Sequence, residues 1–146
     1  MKKEQEGLEL KSEEMYLDAN LFISSILDDK DIGEKAREII EKIKKNIFKG
    51  FTSTLTIDEV LWAVQKQLGK EKAADIANDF ISMTNLEFIS VNIEIIKNSV
   101  KEYKNSLNPR DAIHLASMQS KGIKTIISSD PDFDKINSIK RIDFSK

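Results

Sequence analysis

Short apolar runs alternate along this chain with segments in which apolar residues recur every three or four positions. The first pattern predicts strands and the second predicts helices. Five short stretches rich in β-branched and aromatic residues predict strands, at 15–17, 51–54, 86–91, 124–128 and 139–144. The segments between them carry apolar residues three or four positions apart; the clearest face holds Ile32, Ala36, Ile39, Ile40, Ile43 and Ile47. This alternation predicts a three-layer α/β domain with a mainly parallel central sheet, while the order of the strands stays open.

Residues with special backbone preferences predict where several helices begin and end. Gly50 is expected to close the isoleucine-rich helix, and Thr56 is expected to cap the next one. Asn108 and Pro109 suit the start of the helix before the fourth strand. Asn is a common N-cap, and proline fits the first helical position because the N–H that it lacks would have no partner there. Gly122 is expected to end that helix just before the fourth strand.

Composition separates the first fourteen residues from the rest of the chain. Residues 1–14 are almost entirely charged and polar, so we expect a flexible leader or an extra strand-like tail outside the core, with Met15 a possible natural start of translation. Residues 15–146 have the length and apolar content of a single compact domain. No stretch approaches the ~20 apolar residues that cross a bilayer, so we expect a cytoplasmic protein without a membrane partner.

Charge and residue usage narrow the chemistry. The net charge of −2 argues against a generally basic surface for nucleic acid, although it leaves room for a local basic patch. The chain has no cysteine and one histidine, which excludes disulfides and thiolate metal sites. Any metal would therefore be held mainly by oxygen, which favours Mg2+ or Mn2+ over Zn2+.

Four acidic residues are predicted to lie at one edge of the sheet. Asp18 ends the first strand and Asp130 the fourth. Glu59 starts the helix after the second strand, and Asp111 starts the helix before the fourth. Because a helix that leads into a parallel strand runs antiparallel to it, Asp111 and Asp130 are predicted to be neighbours at the carboxyl edge. Open α/β sheets bind their ligands along that edge.

Each of these acids also has a purely structural explanation. Asp18 could cap a helix, Asp130 precedes a proline in a turn, and Glu59 lies at the capping-box spacing after Thr56. Asp111 stands at a similar spacing after its capping asparagine. Four converging carboxylates would repel one another, however, and a divalent cation is the usual means of neutralising such a group. The combination therefore favours a metal site.

At these positions the sequence resembles the PIN-domain family of metal-dependent nucleases, and within it the VapC-type toxins of toxin–antitoxin pairs. The resemblance covers nearly the whole chain from Met15 to Phe144. It rests on four pieces in order: Leu17-Asp18-Ala19-Asn20; Ser53 followed six residues later by Glu59; Asp111-Ala112-Ile113-His114-Leu115-Ala116; and Ser128-Ser129-Asp130 leading to Phe133-Asp134.

The resemblance implies a sheet of about five parallel strands flanked by helices. It implies that the metal pocket consists of Asp18, Glu59, Asp111 and Asp130. By the same resemblance, Asn20, Ser53 and Ser128 support the pocket through hydrogen bonds, and Asp132 and Asp134 form its variable acidic turn. It further implies a homodimer and a small antitoxin partner that inserts a basic side chain at the acidic edge.

The predicted activity is metal-dependent hydrolysis of single-stranded RNA, with Glu59 binding metal through water or orienting the nucleophile. Arg110 is placed to contact a phosphate, although a surface ion pair explains it equally well. His114 is expected to be a hydrogen-bonded residue of the core rather than a ligand. Two alternatives stay open: an RNA-processing nuclease without an antitoxin, and a non-catalytic RNA-binding module.

Overall fold

The computed structural model describes residues 13–146, and within them the predicted alternation of strands and helices is confirmed. The strands are β1 (Glu14–Leu17), β2 (Lys49–Ser53), β3 (Leu86–Ile89), β4 (Thr125–Ile127) and β5 (Lys140–Ile142). The α-helices of this part of the chain are α1 (Ala19–Leu27), α2 (Asp31–Lys44), α3 (Thr54–Leu68), α4 (Lys70–Ile81), α5 (Ile93–Asn105) and α6 (Pro109–Ser120). A short 3-10 helix, Pro131–Lys135, follows β4.

The strands form one parallel sheet in the order β3-β2-β1-β4-β5. The chain starts at the centre with β1, builds outward to β3, and then returns to the other side of β1 for β4 and β5. The direction of winding therefore reverses between β1 and β4. In open α/β sheets the ligand crevice lies at the carboxyl ends of the strands at such a reversal.

Helices cover both faces of the sheet because successive strand residues point to opposite sides. Leu17 and Ile127 pack against α1 to α4, whereas Tyr16 and Ile126 pack against α5 and α6. The first core includes Leu21, Phe22, Ala36, Ile40, Ile43, Val60, Val64, Ala73 and Phe80. The second includes Ile95, Ala112, Leu115, Ala116, Met118 and Phe133. The three-layer α/β prediction is confirmed.

Two predicted helix boundaries are wrong. Gly50 does not close α2, which ends at Lys44; it lies inside β2, where a Cβ would come within 3.1 Å of Cδ1 atoms of Ile43 and Leu17. Thr56 does not cap α3, because the helix already begins at Thr54. The Thr56 hydroxyl instead lies 2.6 Å from that of Thr52. The capping-box explanation of Glu59 is lost with this boundary.

Helix α5 buries a polar side chain and exposes apolar ones. Ile95 and Ser99 are buried, whereas Val100 and Tyr103 are more than half exposed. Ser99 can be buried because its hydroxyl donates to the carbonyl oxygen of Ile96 within the same helix. Val100 and Tyr103 therefore lie on the surface of the domain.

The predicted leader, residues 1–14, lies outside the described residues except for its last two. Glu14 opens β1, and the Lys49 amide donates to the Glu13 carbonyl, so sheet pairing begins slightly earlier than predicted. From residue 13 onward, no helix combines the length and apolar character needed to cross a membrane.

Candidate active site

The carboxyl ends of β1 and β4 bring a group of acidic side chains together. Asp18 follows β1 directly and caps α1, and Asp130 follows β4 by three residues and caps the 3-10 helix. Asp111 lies in the first turn of α6. The predicted proximity of Asp111 and Asp130 is confirmed: carboxylate oxygens of Asp111, Asp130 and Asp132 all lie within 4.8 Å of one another.

Asp18 is fixed by a hydrogen-bond network around Ser128. One of its oxygens accepts from the Ala19 amide at 2.8 Å, and the other accepts from the Ser128 hydroxyl at 2.6 Å. Ser128 in turn accepts from the Asn20 side-chain amide and from the backbone amide of Asp130. The network therefore ties the end of β1 to the turn after β4.

Burial raises the pKa of the Asp18 carboxyl, since it is only 5% exposed, although His114 and the Ser128 hydrogen bond oppose that rise. Burial likewise raises the pKa of Asp111, together with the negative charges of Asp130 and Asp18, to about 7. The charges of Asp130 and Asp18 thus oppose ionisation of Asp111, and a bound cation would relieve this repulsion.

The start of α6 holds the Asp111 carboxylate in place. The Asn108 side chain accepts from the Asp111 backbone amide at 3.0 Å and donates to its carboxylate at 2.9 Å. This is the predicted Asn cap, and Asn108 contacts only one of the two carboxylate oxygens of Asp111. In the turn after β4, the Asp132 amide donates to Asp130 at 2.9 Å.

Glu59 reaches the same edge from α3 and contacts His114 of α6. The His114 Nε2 lies 2.6 Å from a Glu59 oxygen and 3.7 Å from an Asp18 oxygen, and Nδ1 lies 2.6 Å from the Tyr16 hydroxyl. Burial of the imidazole favours its neutral form, but the Glu59 hydrogen bond and the charge of Asp18 raise the pKa of His114 above its usual value. His114 is a buried hydrogen-bonded residue, as the sequence predicted.

Sequence reasoning missed Tyr16 as a member of this group. Its place in β1 gave a signal, because strand alternation puts Tyr16 and its neighbour Leu17 on opposite faces of the sheet. That alternation directs Tyr16 toward the layer containing α6, where the only histidine of the chain lies.

The remaining predicted site residues have different surroundings. The buried hydroxyl of Ser53 and the side-chain oxygen of Asn20 have no hydrogen-bond partner among the described residues. Arg110 is exposed and lines an opening with Glu59 and Asp111. Both oxygens of Asp134 accept from the Arg141 guanidinium, each at 2.9 Å. Asp134 therefore has a compensating cation and is separate from the three-aspartate cluster.

The donor set fits a hard divalent cation. The clustered ligand atoms of Asp111, Asp130 and Asp132 are all carboxylate oxygens, which are the ligands that Mg2+ and Mn2+ prefer. Lys135 approaches Asp132 at 3.3 Å in an exposed pair, whereas no lysine or arginine of residues 13–146 pairs with Asp111 or Asp130. Neutralisation of these two aspartates is therefore left to a ligand.

Comparison with known proteins identifies the fold. The sequence model of one family, the PIN domain, matches residues 15–139, which is most of the chain. No curated protein sequence matches significantly. Among solved structures, the chain is similar to VapC20 of Mycobacterium tuberculosis, described as a sarcin–ricin loop cleaving toxin. That likeness has a TM-score of 0.70 at 16% identity and covers 84% of this chain and 95% of that one.

Two further structures are complexes with similar folds. One is DNA-bound VapBC from Salmonella typhimurium, with a TM-score of 0.69, 19% identity, and coverage of 90% of this chain and 98% of that one. The other is VapBC2 from Rickettsia felis bound to a promoter DNA fragment, with a TM-score of 0.68 and 16% identity. It covers 88% of this chain and 97% of the matched chain.

Proposed function

The chain belongs to the PIN domain family, and from this premise we propose that it is a Mg2+- or Mn2+-dependent endoribonuclease that hydrolyses single-stranded RNA. The observation that carries the proposal is the cluster of Asp111, Asp130 and Asp132 at the point where the winding of the sheet reverses. Its oxygens converge without a lysine or arginine on Asp111 or Asp130 among the described residues. Such a group is suited to bind a cation and, through it, a phosphate.

The proposed roles follow from the contacts of each side chain. Asp18, Asp111 and Asp130 would bind the cation, with Ser128 holding Asp18 in position and Asn108 holding Asp111. When bound, a divalent cation would lower the pKa of an attacking water and offset the charge that develops on the phosphate. Glu59 would orient the water, and exposed Arg110 at the same opening would contact the RNA backbone.

Single-stranded RNA fits the site better than a duplex. The site is acidic, and a flexible strand can bring one phosphate to it more easily than a rigid helix can. The chain has a net charge of −2, and few basic residues lie at the opening. Binding should therefore be weak. The similar VapC20 structure, described as a sarcin–ricin loop cleaving toxin, supports this proposal.

We also propose that the protein acts in the cytoplasm as the toxin of a toxin–antitoxin pair and forms a homodimer. The VapBC complexes with similar folds support an antitoxin partner. The exposed apolar residues Val100 and Tyr103 on α5 provide surface for a second protein chain. A small open reading frame immediately upstream of the gene would support the pair, and light scattering would measure the oligomeric state.

An Asp18→Asn variant tests the nuclease proposal. Cleavage of a fluorescent single-stranded RNA in Mn2+ should fall by about 100-fold or more, because the variant loses a charge that the cation and the transition state require. EDTA should stop the wild-type reaction. Circular dichroism should show that the variant is folded, since Asn can keep the hydrogen bond from the Ala19 amide.

The matched control is Asp75→Asn, which makes the same change at an exposed position on α4. It should cleave at the wild-type rate. Equal rates for Asp18→Asn and the wild type would exclude this pocket as the active site. A wild-type protein that binds RNA but never cleaves it in Mn2+ would favour the non-catalytic RNA-binding module.

A further inference from the structure

A buried line of hydrogen bonds runs from β1 to α3 through the imidazole of His114. The Tyr16 hydroxyl lies 2.6 Å from Nδ1, and Nε2 lies 2.6 Å from a carboxylate oxygen of Glu59. Tyr16 and His114 are both fully buried, whereas the Glu59 side chain is 19% exposed. The line therefore begins in the core and ends at the opening of the site.

The line also connects the two faces of the sheet. Glu59 belongs to α3, which packs on one face, and His114 belongs to α6, which packs on the other. The Glu59–His114 hydrogen bond joins the two helices at the carboxyl edge. This contact restrains the Glu59 carboxylate relative to Asp111, the acidic residue of α6.

The neighbours of Nε2 determine whether this ring nitrogen of His114 carries a hydrogen. Nε2 faces two carboxylate oxygens, one from Glu59 at 2.6 Å and one from Asp18 at 3.7 Å. Carboxylate oxygens only accept, so Nε2 must carry the hydrogen and donate it. The Tyr16 hydroxyl can donate or accept, so it pairs with Nδ1 and keeps the ring from turning.

We propose that His114 is a positioning residue, which Tyr16 holds in orientation and which in turn fixes the Glu59 carboxylate beside Asp18 for metal binding and water orientation. The inference rests on the proposed nuclease function. Without this contact, a glutamate at a partly exposed helix position would sample several rotamers. Fixing one of them for metal binding would then have an entropic penalty. The buried imidazole removes that freedom in advance.

Two substitutions at position 114 test the two hydrogen bonds of His114 one at a time. In His114→Gln the amide nitrogen can reach the place of Nε2 and donate to Glu59, whereas the contact with Tyr16 is lost. In His114→Asn the shorter amide can keep the contact with Tyr16 but cannot reach Glu59. Tyr16→Phe removes only the hydroxyl and keeps the packing of the ring.

The proposal predicts a definite order of effects. His114→Asn should lower Mn2+ affinity and kcat by about 10- to 100-fold, as loss of a residue that orients a metal ligand generally does. His114→Gln should retain most of both, and Tyr16→Phe should fall between them. Calorimetry measures Mn2+ affinity independently of cleavage, and unfolding curves report whether the variants are equally stable.

A double-mutant cycle with Glu59→Gln distinguishes positioning from a general effect on the fold. If His114 acts through Glu59, His114→Asn should have little further effect on Mn2+ affinity in the Glu59→Gln background. Losses that add, or equal losses in His114→Gln and His114→Asn, would overturn the inference.

The metal-free protein offers a second, direct readout. His114 is the only histidine of the chain, so 15N-labelled histidine gives one assigned pair of ring signals. Nε2 should carry a slowly exchanging hydrogen at neutral pH, and Glu59→Gln should shift that signal while Tyr16→Phe should shift Nδ1. A ring with Nε2 unprotonated would overturn the inference.

Failure of this inference is distinguishable from failure of the proposed function. If the wild type cleaves RNA and Asp18→Asn does not, but His114→Asn matches the wild type in Mn2+ affinity and rate, only the positioning role is excluded. If the wild type neither binds Mn2+ nor cleaves RNA, the nuclease proposal falls and the positioning role falls with it.

Discussion

Two pairs of aspartates at the same end of the molecule have opposite electrostatic environments. Asp134 and Asp143 share the guanidinium of Arg141, with nitrogen–oxygen distances of 2.9 and 3.2 Å. Asp111 and Asp130 have no such partner among the described lysines and arginines, although each has an oxygen close to the other. The sequence shows the same residue type at all four positions, and only their neighbours separate the two pairs.

The pKa values of Asp134 and Asp111 move in opposite directions. The Arg141 hydrogen bond lowers the pKa of Asp134, while burial and the charge of Asp130 raise that of Asp111 to about 7. The negative charges of Asp134 and Asp143 are offset by Arg141 of the same chain. The pair of Asp111 and Asp130 needs a cation from outside, and an arrangement that is unfavourable alone is typical of a functional site.

The largest expected effect of this difference is stabilisation by metal. Mn2+ at about 100 times its Kd should raise the free energy of unfolding of the wild type by about 2.7 kcal/mol, because it binds only the folded protein. Asp111→Asn should lose most of this gain, since it removes a charged ligand. Urea unfolding with and without Mn2+ measures the gain in stability of the wild type and of Asp111→Asn, with Asp75→Asn as the control. Equal gains in wild type and Asp111→Asn would show that the metal binds elsewhere.

A smaller effect should appear without metal, as a dependence on pH. The pKa of Asp111 is raised from 3.8 to about 7 in the folded protein, so its ionisation destabilises the fold above about pH 7 and this penalty is relieved as the pH falls toward 4. In EDTA at pH 8, Asp111→Asn should be more stable than the wild type by about 1 kcal/mol, less than the full shift implies because solvent screens the charges.

The quantity to measure is the difference in the free energy of unfolding between Asp111→Asn and the wild type. Other titrating groups contribute equally to both stability curves and cancel in this difference. It should shrink between pH 7 and pH 4 as wild-type Asp111 takes up its proton. Chemical unfolding at several pH values gives the two stability curves. A difference that is constant with pH, or that grows toward acid, would contradict the raised pKa of Asp111.

Local patterns in the sequence were sufficient for the elements and for one part of the site. Asn108 and Pro109 begin α6 as predicted, and helix-to-strand geometry correctly made Asp111 and Asp130 neighbours. These predictions succeeded because caps and parallel crossovers depend on residues close in the chain or on a general rule of handedness. The start of α3 was misplaced because the Thr56 hydroxyl has a partner in β2 that no local pattern reveals.

Contacts between distant residues could not be predicted in the same way. Tyr16 and His114 are 98 positions apart, and Glu59 and His114 are 55 apart. Their hydrogen bonds depend on the order of the strands and on side-chain rotamers, and the sequence left the strand order open. The ion pair of Asp134 with Arg141 is separated by only seven residues, yet it requires the β5 pairing to bring the guanidinium to the turn.

The sharpest test of the contrast comes from two positions in one turn. Asp132 has an oxygen in the acidic cluster, whereas both oxygens of Asp134 accept from Arg141. Asp132→Asn should lower Mn2+ affinity by about tenfold, because the cluster loses a charge near the cation. Asp134→Asn should leave affinity and RNA cleavage close to wild type, since Arg141 keeps Asp143 and the Ser128 carbonyl as acceptors. Calorimetry of the two variants side by side measures the contrast, and equal losses would show that Asp134 leaves its arginine to join the metal site.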